Sequence, residues 1–160
     1  MKQRKQPEKA AQNELSDLSR EQLLALMAKL SELVREKEGE HIPVSVFAAK
    51  LSPAEALVKY LKEHGQLRYA DIARALNRDQ RGIWCTYRRA QQKHPQEFAV
   101  KPSPHTVPVS LFTERKLSIL EHVVSHLRGN GMPLKDIAQL VNKHPSTIAT
   151  VHSRVRRKLQ

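Results

Sequence analysis

The chain holds one cysteine, Cys85, among 160 residues, so no disulfide can form within it and no paired thiols suggest a metal site. That usage fits a reducing compartment. Aromatic residues make up 4% of the chain, too few for the stacking platforms of sequence-specific RNA binders. No apolar run approaches the ~18 to 20 residues that a membrane span needs. The charged start, MKQRKQPEKAAQNE, has no apolar core behind it and is no secretory signal. There is no Gly-rich phosphate loop and no nucleophile in a recognisable setting. His122 and His126 stand four apart, but Val-Val-Ser separates them and no third ligand is evident, so both read as structural. The expectation is a non-enzyme with no cofactor, no metal and no membrane association.

Acids are the other shortage. Lys and Arg number 28 against 16 Asp and Glu, giving a net charge of +12 and a pI near 10.1. Such an excess points to a polyanionic partner, most often nucleic acid. The alternative is a generally basic, solubilising surface, and the clustering of the charge decides between the two.

What is present is a repeat. His41-Ile42-Pro43-Val44-Ser45-Val46-Phe47 is echoed by Thr106-Val107-Pro108-Val109-Ser110-Leu111-Phe112. Leu51-Ser52 returns as Leu117-Ser118, Glu55 as Glu121, Val58 as Val124 and Leu61 as Leu127. Asp71-Ile72-Ala73 returns as Asp136-Ile137-Ala138, Asn77 as Asn142 and Ile83 as Ile148. A one-residue slip in the register is absorbed around Gly65 and Gly131. A match this long marks a duplicated unit.

The organisation expected is all-α: an N-terminal leucine-rich helix followed by two tandem three-helix units. Residues 1–14 read as a disordered basic tail. Residues 15–40 hold an amphipathic helix over Leu18 to Glu38, with Ser19 and Gln22 as its capping box and Gly39 as its stop. Leu23, Leu26, Leu30 and Leu33 form a short a/d seam, suited either to a homodimer or to packing within the chain. Residues 41–93 and 106–160 are the repeats, and residues 94–105, with Pro95, Pro102 and Pro104, are a stiff linker.

Each repeat opens on an extended or turn segment around a proline, whose apolar residues staple onto the helices that follow. The first helix then buries Ala54, Leu57, Val58 and Leu61, or Leu120, Val123, Val124 and Leu127. A glycine ends it. Small units of this kind bury little core, so they are expected to pack on each other, on the N-terminal helix or on a second chain.

The end of each repeat carries the functional signal. Ile72 and Leu76 lie one turn apart, and Ala73 allows a close helix approach. Asn77 suits a left-handed turn. Asp79 is placed to cap the next helix, whose stripe is Ile83, Tyr87 and Ala90. Ile137, Ala138, Val141 and Asn142 repeat these features, with Pro145 at a helix start and Ile148, Val151 and Val155 as the stripe. Arg78, Arg81, Arg88, Arg89 and Lys93 crowd the second helix of repeat one, and Arg154, Arg156, Arg157 and Lys158 end repeat two. A hairpin of core helices explains the apolar positions; it explains the charge less well, although cations also suit a helix C-terminus.

Both stretches resemble the helix-turn-helix of bacterial sigma factor region 4 and related transcription regulators. The resemblance rests on Tyr69-Ala70-Asp71-Ile72-Ala73-Arg74-Ala75-Leu76 with Ile83 to Arg89, and on Leu134-Lys135-Asp136-Ile137-Ala138-Gln139-Leu140 with Ser146 to Leu159. It implies that the second helix of each pair enters the major groove of double-stranded DNA. A contact with RNA polymerase is compatible with the resemblance, although no other segment resembles the family's polymerase-binding region. Asn stands where the family often has glycine at the turn.

On that reading Gln80, Arg81, Trp84 and Arg88 face base edges, since Arg suits guanine and Gln suits adenine. Ser146, Thr147, Thr150 and Ser153 suit phosphates, thymine methyls and close approach. Arg78, Arg89, Lys143, Arg154 and Arg157 supply backbone charge. Repeat one is therefore expected to carry most of the direct readout. For Trp84, packing on the Ile42 to Phe47 segment is the preferred role, because a large aromatic normally needs burial. The function expected is sequence-specific binding of a bipartite site by a cytoplasmic, nucleoid-associated transcription regulator. The alternatives are a DNA-binding component of a mobile-element or recombination complex, an RNA binder, or a basic scaffold for an acidic protein.

Overall fold

A computed structural model describes residues 19–38 and 40–160, with residues 31–38 described by their backbone. The basic tail, Gly39 and the side chain of Leu33 lie outside the described residues. The chain divides into two units, Met1–Glu38 and Gly39–Gln160.

The first unit contains helix α1, Arg20–Glu38. Its start is the expected capping box: the Gln22 amide donates to Ser19 Oγ and the Ser19 amide to Gln22 Oε1. Leu23 is half-buried, whereas Leu26 and Leu30 are exposed. Leu24 and Met27 are exposed as well, so the apolar surface of α1 is wider than the seam.

The second unit contains both repeats. Repeat one runs through β1 (His41–Pro43), a 3-10 turn (Val44–Ala48), α2 (Pro53–Glu63), α3 (Tyr69–Ala75) and α4 (Gln80–Lys93). Repeat two runs through β2 (Thr106–Pro108), a 3-10 turn (Val109–Thr113), α5 (Ile119–Gly129), α6 (Leu134–Leu140) and α7 (Pro145–Leu159). The molecule is mostly helical, consistent with the all-α expectation, and adds one small two-stranded sheet. The two proline segments form an antiparallel ribbon in which His41 faces Pro108, Ile42 faces Val107 and Pro43 faces Thr106. Each short strand satisfies its backbone on its copy, which neither does alone.

That ribbon crosses the arms. The 3-10 turn of repeat one packs on its own α2, as expected, and also on α6 of repeat two. The turn of repeat two packs on α5 and on α3 of repeat one. Phe47 and Phe112 meet in the middle, ring centroids 6.1 Å apart and both buried. One continuous core results, with Ile42, Val44, Leu57, Ile72, Val107, Ile137 and Ile148 all fully buried. Sharing a core answers the problem of small units with little apolar area each.

Helix boundaries follow local chemistry. Ser52 and Ser118 each form a full capping box, with Glu55 and Glu121 at the third helical position. The buried stripes differ from expectation at one position in each repeat. Ala54 is exposed and Leu120 half-buried, while Ala56 and Ile119 are buried beside the other expected stripe residues. The glycine stop also needs correction in repeat one. There α2 ends at Glu63, and the left-handed residue is Gln66, φ 50°, equivalent to Gly131, φ 84°. Gly65 serves a different need: a Cβ there would lie 2.8 Å from the Leu61 carbonyl oxygen.

Residues 94–105 are tied down as well as stiff. Phe98 is buried, its amide donates to Glu63 Oε2 at 2.9 Å, and its carbonyl contacts the His64 ring. Ser45 Oγ donates to the Lys101 carbonyl at 2.6 Å. His122 is structural in the sense expected: Nε2 lies 2.9 Å from the Glu114 carbonyl and the ring stands edge-on to Phe112. No described helix is long and apolar enough to cross a membrane.

Candidate nucleic-acid interface

The turn between α3 and α4 sets the geometry. Asn77 adopts φ 50° and Asn142, its equivalent, φ 49°, the left-handed conformation that asparagine tolerates best after glycine. Leu76 and Val141 are buried before the turn, and Ile83 and Ile148 after it. Those anchors fix how each following helix rotates about its own axis. Asp79 caps α4, accepting from the Gly82 amide at 3.2 Å. His144 caps α7 in the same position: its Nδ1 accepts from the Ser146 amide at 3.3 Å, ahead of Pro145. The proline was legible as a helix start; the histidine cap was not, because histidine is an uncommon cap.

With Ile83, Tyr87 and Ala90 turned inward, the outward face of α4 presents Gln80, Arg81, Trp84, Arg88 and Arg89, all exposed. Trp84 does not pack on the Ile42 to Phe47 segment. It stays 42% exposed, and the Arg88 guanidinium lies 4.9 Å from its ring centroid. Tyr69 lies beside Tyr87, ring centroids 5.8 Å apart. Tyr69, Gln80, Arg81, Trp84 and Cys85 line a shallow depression of about 450 Å³ on this face. Arg81, Arg88 and Arg89 have no acidic partner among the described residues.

The outward face of α7 differs. Ser146, Thr147, Thr150, Ser153, Arg154 and Arg157 are exposed, and Lys143 is half-buried. Two of its hydroxyls are already engaged. Ser146 Oγ sits 2.7 Å from His144 Nδ1, and Thr150 Oγ1 donates to the Ser146 carbonyl at 2.9 Å. Arg78, half-buried, is the equivalent of Lys143, and Arg89 of Arg154, so both repeats keep cations at the same two places.

Two lysines leave the basic cluster. Lys93 Nζ donates to Glu55 at 2.8 Å and Lys158 Nζ to Glu121 at 2.7 Å. Burial pushes both carboxyls up, but the lysine and the serine cap outweigh it, and each ends below the ordinary glutamate range. The sequence carried a signal for these clamps, since the acid and the base both recur between the repeats. Asp71 is likewise held down, chiefly by the Arg68 guanidinium and then by Arg74. Arg115 and Lys116, which sequence reasoning passed over, line a cleft of about 790 Å³ with Arg78, Ser52 and Ser118. Lys116 is the equivalent of Lys50, whereas Arg115 lies beside the one-residue insertion that shifts the register.

No family model, curated protein or solved structure matches this chain.

Proposed function

We propose that this protein binds double-stranded DNA sequence-specifically, as a transcription regulator that reads a bipartite site with α4 and α7 as recognition helices. The observation that carries this reading is the outward face of α4. Gln80, Arg81, Trp84 and Arg88 are exposed on a helix set by a left-handed asparagine turn, and its arginines lack acidic partners among the described residues. A core hairpin has no need of that face. Arg and Gln there offer bidentate donors to guanine and adenine edges. The stacking of Arg88 on Trp84 stiffens the guanidinium and reduces the entropy lost when it meets a base.

The cations common to both repeats, Arg78 with Lys143 and Arg89 with Arg154, fit contacts to the phosphate backbone. The side chains that differ, Gln80-Arg81 against Pro145-Ser146, fit readout. Repeat one then supplies most direct readout, and repeat two positions the chain through Ser146, Thr147, Thr150, Ser153 and Arg157.

Retention of random-sequence duplexes, followed by sequencing, tests the reading. The expected result is an enriched motif. Arg81→Ala relaxes preference at one position of it and costs about 1–3 kcal/mol of discrimination. Thr147→Ala chiefly weakens binding overall and shifts preference far less than Arg81→Ala does. Retention that falls steeply with salt and enriches no motif would reduce the protein to an electrostatic binder. Preference for RNA or single strands would overturn the reading altogether.

A further inference from the structure

We infer that the two recognition helices read the two halves of the DNA site in opposite orientation, as an imperfect inverted repeat at fixed spacing, within one chain. The inference rests on the DNA-binding reading above. Two consecutive copies of one unit, joined by a linker, would by default be related by translation and would read a direct repeat. The contacts between the copies exclude that relation.

The ribbon gives the first argument. Repeat-equivalent residues are His41 and Thr106, Ile42 and Val107, Pro43 and Pro108. In the ribbon His41 faces Pro108, Pro43 faces Thr106, and Ile42 faces its own equivalent, Val107. Exchanging the names of the repeats leaves this register unchanged. Equivalent strands that pair antiparallel on a common centre are related by a twofold axis through that centre, and no translation produces such a pairing.

The symmetry extends outward in matched pairs. The Val44 amide donates to the His105 carbonyl and the Val109 amide to the Glu40 carbonyl, both at 2.9 Å. The ring of Phe47 meets that of Phe112, its equivalent. Each arm then reaches the turn that precedes the opposite recognition helix. Asn77 Nδ2 donates to the Thr113 carbonyl at 3.3 Å, and Asn142 Nδ2 donates to the Ala48 carbonyl at 3.5 Å. Asn77 and Asn142 are the turn residues that launch α4 and α7, and Thr113 and Ala48 are themselves equivalent. The axis of the ribbon therefore also relates the starts of the two recognition helices.

A duplex has local twofold axes perpendicular to its own. Readers related by a twofold match such an axis and contact inverted half-sites, as symmetric helix-turn-helix dimers do with two chains. Here one chain supplies both halves, so the halves need not be alike. Gln80, Arg81, Trp84 and Arg88 against Pro145, Ser146, Ala149 and Ser153 predict one stringent half-site and one permissive half-site. The crossed arms hold the two readers together, which fixes the spacing.

The test uses the full chain and the duplex enriched by selection. Arg81→Ala and Thr147→Ala first assign each half-site to its helix, by the position where each variant changes preference or protection. Three synthetic duplexes are then compared: the selected site, one with the permissive half-site reversed in place, and one with about five base pairs, half a helical turn, inserted between halves. The inverted arrangement is expected to bind at least about tenfold tighter than either altered duplex. Tighter or equal binding to the direct arrangement overturns the inference, as does a selected motif with a single half-site. Indifference to the insertion overturns the fixed spacing. Failure to enrich any duplex refutes the DNA-binding reading itself, a different result from an enriched site of the wrong orientation.

Discussion

At the far end of their first helices the two repeats part company. In repeat one Lys59 is fully buried on α2. Its ammonium donates to Glu63 and to Gln91 Oε1 at 2.6 Å, and Glu63 also accepts from the Tyr87 hydroxyl at 3.2 Å and from the Phe98 amide. In repeat two the equivalent positions are Ser125, Gly129, His152 and Arg156, and they line an open groove of about 410 Å³. The same backbone unit thus closes one end with a polar network and leaves the other end exposed. What the repeats share, namely the apolar stripe, the crossed arm, the asparagine turn and the lysine clamp, is what holds the unit together. What they do not share is the network under α4 and the residues that α4 displays. Repeat one combines the bulkier outward face with the more elaborately fastened helix, and a stiff support is what the proposed bidentate readout would require.

The largest way to break this comparison is to cut the core that joins the repeats. Phe112→Ala in repeat two removes a fully buried ring and should cost about 3–5 kcal/mol. Because the arms cross, the loss should appear in repeat one as well. The check is denaturant unfolding followed by fluorescence of Trp84, the single tryptophan, which sits in the other repeat. A shifted midpoint with a single transition is expected. An unchanged Trp84 transition would mean that the repeats fold separately and that the crossed arms do not couple them.

A smaller change tests the difference directly. Lys59→Ser gives repeat one the residue of repeat two. It leaves Glu63 with the Tyr87 hydroxyl and the Phe98 amide but without its cation. Breaking a buried pair costs about 3–5 kcal/mol when the survivor is stranded, and the two remaining donors reduce that to about 2 kcal/mol here. Unfolding by urea reads the change. A variant as stable as the parent would show that the network contributes nothing beyond what Ser125 does in repeat two.

Much of this architecture was legible because it is written twice. The stripe residues Leu57, Val58 and Leu61, the turn residues Asn77 and Asn142, the cap Asp79 and the helix start at Pro145 follow from spacing and local conformation. The ribbon was not legible, because three-residue strands carry no periodicity and their stability comes entirely from the partner copy. The crossing of the arms is likewise a property of the tertiary pairing, since the segment before α2 packs equally well in principle on its own helices. Trp84 was misread for a related reason. Its size argued for burial, but Ile83 and Tyr87 take the inward positions of α4 and leave Trp84 on the outward face. Arg81 and Gln80 were placed outward correctly, because the positions of Ile83 and Tyr87 leave them no other face.

The smallest effect concerns what the repeats share. Glu55 and Glu121 each accept a lysine and a serine cap, and their folded-state pKa lies below the ordinary range of about 4.3. The unfolded chain therefore takes up protons first as pH falls. The stabilisation from both clamps is complete above the ordinary glutamate range and is lost as pH drops through the lower, folded-state value. Lys158→Met removes the cation from one clamp only. It should lower stability near neutral pH by up to about 1 kcal/mol, since Lys158 is partly exposed and its pair is screened. It should also flatten the acid limb, because burial then pushes Glu121 up with less opposition. Lys93→Met should do the same through Glu55, by a similar amount. Urea midpoints for the parent and both variants between about pH 3 and pH 7 measure this. Equal effects would confirm that the clamp is a common device of the repeats. A larger loss from Lys93→Met would extend the asymmetry of the two repeats to a feature they hold in the same geometry.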